Sequence, residues 1–207
     1  MIVSRKCYLL ILILAITASL SLFFDCNSSR TIIQKKDSGN LNSYNPYFPI
    51  AGDMEWKYIN QAPRDETLLF NVKISNLKNS GESVTAEFDP FPFFNKQKVK
   101  STVKINKSGE VYVIDSTENE KLLLPDESKL QKGYNWQYGS WLAVVGDTNV
   151  SVKTEKETIE NCLYVNYGLG GFTFVVELWL AKGKGIVKWG ANRTNPPSLN
   201  TAYFLRY

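Results

Sequence analysis

Histidine is absent from this chain of 207 residues, and its absence removes most of the usual site chemistry. Ser-His-Asp and Cys-His nucleophilic centres need an imidazole base, and many zinc sites need imidazole ligands. The thiols are few and scattered: Cys7, Cys26 and Cys162. They form no cluster that could hold a metal. Cys162 lies in Glu160-Asn161-Cys162-Leu163-Tyr164-Val165. That run alternates as a strand does and offers no base to ionise the thiol, so Cys162 reads as a buried structural residue. No D-x-[DN]-x-[DN]-G calcium loop occurs. Gly168-Leu169-Gly170-Gly171 leads into a strand, without the helix N-terminus that would hold a phosphate. Lys182-Gly183-Lys184-Gly185 lacks the Ser or Thr of a Walker loop and reads as a turn. Glu118/Glu120 and Glu155/Glu157 could each share a strand face, but they sit in polar segments that suit solvent. No metal, cofactor or catalytic residue is expected, and the chain is not read as an enzyme.

One thiol does have a context for chemistry. Arg5 and Lys6 form a basic head, residues 8–24 form an uncharged apolar run, and Cys26 follows Asp25. A basic head before an apolar stretch is the secretory pattern. The run is shorter than the roughly 20 apolar residues of a spanning helix. This order of features resembles a bacterial lipoprotein signal peptide, with Cys26 lipidated as the mature N-terminus. Phe23-Phe24-Asp25 departs from the usual Leu-Ala-Gly-Cys box. It is similar to the relaxed boxes of spirochaete lipoproteins. Two other outcomes stand open: cleavage after Ala18 or Ser19 to a secreted protein, or no cleavage and an N-terminal anchor. Each buried methylene contributes about 0.8 kcal/mol, and one acyl chain holds only marginally. A diacylglyceryl group with an N-acyl chain such as palmitate would hold durably.

The elements downstream divide simply. Residues 1–25 read as the signal peptide, 26–44 as a polar tether and 45–207 as one domain. The tether carries Lys35-Lys36-Asp37-Ser38-Gly39-Asn40 and too little apolar surface to fold alone. The net charge of +4 is mild and spread along the chain. Lys96-Gln97-Lys98-Val99-Lys100 is the densest basic run, and lysines there suit a protected sheet edge. No nucleic-acid partner is expected.

Within the domain the dominant period is two. Met54, Trp56 and Tyr58 alternate with polar neighbours, as do Phe70, Val72 and Ile74, and then Val84, Ala86 and Phe88. Val99, Val103 and Ile105 lead through Asn106-Lys107-Ser108-Gly109 into residues 110–115, a hairpin signature. Further strands are expected at 134–138, 141–145, 150–156, 161–167, 172–181, 186–189 and 202–207. Residues 122–130, broken by Pro125, suggest a turn or a single helical turn. The fold expected is all-β: a strongly curved antiparallel sheet, half-barrel or barrel-like, with little helix. Asp89-Pro90-Phe91-Pro92-Phe93-Phe94 cannot be a central strand. It either folds its phenylalanines back over the core or exposes an apolar patch. Asn195-Pro196-Pro197-Ser198 reads as the loop before the last strand.

Three segments carry a resemblance to bacterial envelope lipoproteins. Tyr47-Phe48-Pro49-Ile50 with Trp56-Lys57-Tyr58 resembles their YFPL…G..W.Y start. Residues 159–165 resemble their F.nClkV segment, and residues 178–188 their yyakGvGlVk strand-turn-strand, with Lys184 in place of an apolar turn residue. The resemblance implies a curved sheet similar to the half-barrel of lipoprotein-carrier proteins, and it brings no catalytic residue. The reading is then a protein of the cell envelope, at the outer membrane, anchored through lipid on Cys26. Its β domain would bind an apolar ligand or an envelope partner, with Trp56, Trp136 and Trp179 as candidate lining residues. The alternative is a surface-exposed interaction lipoprotein with a filled core and no ligand cavity.

Overall fold

A computed structural model describes residues 44–52, 54–60, 69–91, 93, 99–115, 117–168, 175–192 and 199–206. For residues 60, 69–70, 175, 191–192 and 199–206 the backbone alone is described. Cys26, the signal segment, the tether before Tyr44, Phe94, Lys96-Gln97-Lys98, residues 172–174 and Asn195-Pro196-Pro197-Ser198 lie outside the described residues. Contacts divide the chain into Met1–Gly39 and Asn40–Tyr207, and every described residue belongs to the second unit.

The described strands are β1 (Glu55–Asn60), β2 (Leu69–Asn79), β3 (Ser83–Asp89), β4 (Ser101–Asn106), β5 (Val111–Ile114) and β6 (Glu120–Leu124). After a 3-10 turn at Glu127–Lys129 come β7 (Asn135–Tyr138), β8 (Trp141–Lys153), β9 (Thr158–Gly168), β10 (Val175–Ala181), β11 (Gly185–Asn192) and β12 (Leu199–Arg206). All belong to one antiparallel sheet in the order β6-β5-β4-β3-β2-β1-β12-β11-β10-β9-β8-β7. The expected all-β architecture is the observed one, a strongly curled half-barrel.

Chain length explains the curl. A flat twelve-stranded sheet would hold its outer strands about 53 Å apart, at roughly 4.8 Å per gap. Those outer strands, β6 and β7, are consecutive in sequence. The link of residues 125–134 can span at most about 40 Å. The sheet must therefore bend until its two edges approach. Bulges help it bend. Pairing slips by a residue between β5 and β6, between β10 and β11 and three times between β8 and β9.

Alternation sets the two faces. Val103 and Ile105 on β4 and Val111 and Val113 on β5 are buried, while their neighbours are half-exposed. On the outer face Lys104 pairs with Glu120 and Lys100 with Glu87. Exposed pairs of this kind contribute little to stability, and they keep that face soluble.

Two elements differ from the sequence expectation. Of residues 122–130, expected to make a turn or a single helical turn, Glu127–Lys129 form a 3-10 turn as expected, but 122–124 belong to strand β6. Leu124 pairs with Val111 and Leu122 with Tyr112, so Leu123 is the extra residue of a bulge. The bulge lets both Leu123 and Leu124 be buried, which erases the period-two signal. The two runs predicted at 141–145 and 150–156 are one strand, β8, because the irregular register with β9 carries pairing across Gly146 to Asn149.

Candidate functional site in the aromatic interior

The interior is closed at one end by the chain itself. Residues 44–50 make no strand; they cross the ends of several hairpins. Asn45 is fully buried and organises the crossing. Its Oδ1 accepts from Tyr47 N at 2.9 Å, and its Nδ2 donates to Gly109 O at 2.7 Å. Gly183 N donates to Pro46 O at 2.8 Å. Lys182 lies 5.4 Å from the Tyr47 ring centroid and pairs with Glu127 at 2.5 Å. Burial, above all, raises the Tyr47 phenol above its ordinary value. Gly109 has φ +90°, and a Cβ there would meet Tyr44 O at 2.8 Å. Only glycine suits that crossing.

This arrangement drives Phe48 into the curl, 0% exposed. Its ring lies 5.5 Å from Trp56, edge to face, and 5.7 Å from Phe88. The network continues through Phe88 to Phe91, Phe93 and Trp189, and from Phe93 to Tyr58. Such edge-to-face pairs add about 0.5–1.5 kcal/mol each beyond burial. Phe91 and Phe93 are both buried, so for these residues the proline-broken segment folds back rather than forming an exposed patch. Tyr58 donates its hydroxyl to Ile186 O at 2.8 Å. The Trp56 ring N–H is buried without an acceptor among the described residues, which costs about 1–3 kcal/mol.

The three candidate tryptophans occupy three different places. Trp56 (3% exposed) faces the plugged end. Trp136 (7% exposed) lies at the approach of the two outer strands, donating Nε1–H to Leu122 O at 3.1 Å. Tyr167, fully buried beside it, donates to Leu123 O at 2.7 Å. Burial pushes the Tyr138 and Tyr167 phenols well up. Trp179 sits between Leu178 and Leu180 in sequence, so it lies on the opposite face of β10 from those interior residues. There it stacks on Tyr164 with centroids 5.0 Å apart, under Lys188 Nζ at 4.1 Å. The Tyr164 hydroxyl meets Glu177. Burial lowers the Lys188 ammonium. No ring contact joins the three tryptophans among the described residues.

Sequence reasoning missed Asn45, and although it placed Gly185 in a turn and Tyr138 and Tyr167 in strands, it did not give them their contacts. Asn45-Pro46 is a turn signal and could have marked the first. The others depend on partners far away in the chain.

Glu120 and Glu157 are each tied to a lysine, Lys104 and Lys184. No group of three metal-ligating side chains occurs among the described residues, and no described helix is long and apolar enough to cross a membrane. Cys162 is fully buried, and burial pushes its thiol up to about 11. At pH 8 a folded sample should therefore leave Cys162 unlabelled by a thiol reagent, with full labelling only after denaturation. Rapid labelling of the native protein would mean that β9 opens locally.

No protein-family model matches the chain, and no curated protein does. A solved structure shares the fold. A protein described as exported, with a YmcC-like fold, from Bacteroides fragilis aligns with a TM-score of 0.50 at 12% identity, covering 78% of this chain and 97% of that one. A protein described as a lipoprotein, from Parabacteroides distasonis, aligns with a TM-score of 0.47 at 12% identity over the same shares. At such identity the first likeness establishes the fold alone.

Proposed function

We propose that this is an envelope lipoprotein, held by lipid on Cys26, whose β domain binds an envelope partner at its surface. It acts neither as an enzyme nor as a carrier of an apolar ligand inside the curl. The observation that supports this is how the described residues fill the interior: Phe48, Tyr58, Phe88 and Phe93 lie inside the curl, each at most 1% exposed. A ligand would have to displace the chain's own rings. The exported character ascribed to the Bacteroides protein of the same fold is in keeping with a place in the envelope.

Mass spectrometry of protein purified from membranes reads both parts. Under denaturing conditions the mature chain should carry a covalent lipid mass that Cys26→Ala loses. Under native conditions no further lipid should remain bound. A chain without a lipid adduct, or an adduct that Cys26→Ala retains, would overturn the anchor, and a stoichiometric non-covalent lipid would overturn the filled interior.

A further inference from the structure

Ten of the twelve described strands have a ladder on both sides, while β6 and β7 have one each, to β5 and to β8. These two edges face each other, yet no ladder joins them. The seam is bridged by side chains: Trp136 Nε1–H to Leu122 O, and the Tyr167 hydroxyl to Leu123 O. Gly139, in the turn after β7, lies against the Lys121 side chain. Two carbonyls of β6 thus accept from side chains instead of from a strand.

The two edges differ in protection. Edge strands normally discourage pairing by charge, proline or bulges. β6 has all three, with Glu120, Lys121, the Leu123 bulge and Pro125 directly after it. β7 is Asn-Trp-Gln-Tyr, uncharged and in unbroken register with β8. Its only cover among the described residues is the seam.

We propose that the β7 edge is a strand-acceptor site: the seam opens and an extended segment of a partner polypeptide pairs with β7. The proposal rests on the partner-binding reading above and gives that partner its chemistry. Backbone donors and acceptors select an extended peptide. The inward Trp136 and Tyr138 select apolar side chains at alternate positions, and the outward Asn135 and Gln137 select polar ones between them. Opening breaks two side-chain hydrogen bonds and uncovers the buried Leu123, Leu124, Trp136 and Tyr138, whose apolar faces the incoming strand covers again, and it leaves every ladder intact, so the transition is local rather than global.

The test uses the full lipidated chain in detergent and a fluorescent peptide copying Ser101–Asn106 (Ser-Thr-Val-Lys-Ile-Asn), whose apolar residues alternate. Fluorescence polarisation should show saturable binding, lost when alternate peptide amides are N-methylated. Trp136→Phe keeps an aromatic ring but removes the competing donor, so it should tighten binding about tenfold. Tyr167→Phe removes the second donor and should act in the same direction, which guards against a misfolded first variant. No binding, equal binding of the N-methylated peptide, or unchanged affinity in both variants would overturn the acceptor site. So would dimerisation that excludes the peptide, since a second copy would then be the occupant. The mass spectrum reads the anchor and the filled interior independently, so failure here leaves that result standing.

Discussion

Phe48→Ala is expected to destabilise the domain by about 3–5 kcal/mol, the usual cost of removing a buried phenylalanine ring. The ring is fully buried and touches both Trp56 and Phe88, so truncation leaves a cavity between two large aromatics. A typical domain is stable by only about 5–15 kcal/mol, which makes this loss close to disabling. Urea denaturation checks it. With a slope of about 2 kcal/mol per molar, the midpoint should fall by roughly 2 M. A fall of under about 0.5 M on that slope would mean that residues 44–50 dock as a separate, weakly attached strap. Phe48→Leu should recover a large part of the loss, because it restores apolar volume without the ring.

Gly185→Ala should cost about 2–4 kcal/mol, for two separable reasons. Gly185 has φ +82°, a region that L side chains avoid. A Cβ there would also stand 2.7 Å from Trp56 Cζ2 and 3.1 Å from Cη2. The indole cannot easily retreat, because Phe48 and Phe88 pack against it. Gly183→Ala, two residues earlier, separates the causes. Gly183 has φ +73° with nothing within 4 Å of its would-be Cβ. It should show the backbone cost alone, about 1–2 kcal/mol. Equal effects at the two glycines, read from their denaturation midpoints, would remove the steric part of the argument.

These experiments join segments that stand far apart in the chain. Phe48 and Trp56 belong to the first segment of the lipoprotein resemblance, and Gly185 to the third. In the fold they meet: Gly185 admits the Trp56 ring, Tyr58 bonds to Ile186 O, and Gly183 N bonds to Pro46 O. The first and third segments therefore describe one packing unit around the plugged end. A glycine in a turn signals the turn, but nothing local says that an indole from more than a hundred residues away rests on it.

Much of the architecture was legible. Period-two alternation marked most strands, and the turns at Gly81, Gly109 and Gly183 fell where glycine and polar residues cluster. The strand context of Cys162 and the absence of a base marked a structural thiol, and the thiol is buried. The candidate site was less legible. Trp56, Trp136 and Trp179 look alike in sequence, each an aromatic in an alternating strand. One packs under the plug, one bridges the seam and one stacks outside against Tyr164 and Lys188.

The sequence by itself determined the class of structure, because a side chain's face along a strand follows from spacing within a few residues. It also carries the local pattern on which the lipidation proposed for Cys26 rests. The tertiary structure decided the rest. Pairing of β1 with β12, together with the short link from β6 to β7, sets the curl, and the curl decides which face becomes the inside. Bulges such as the one at Leu123 shift the alternation where they occur. These are contacts between residues distant in sequence, and no local period encodes them.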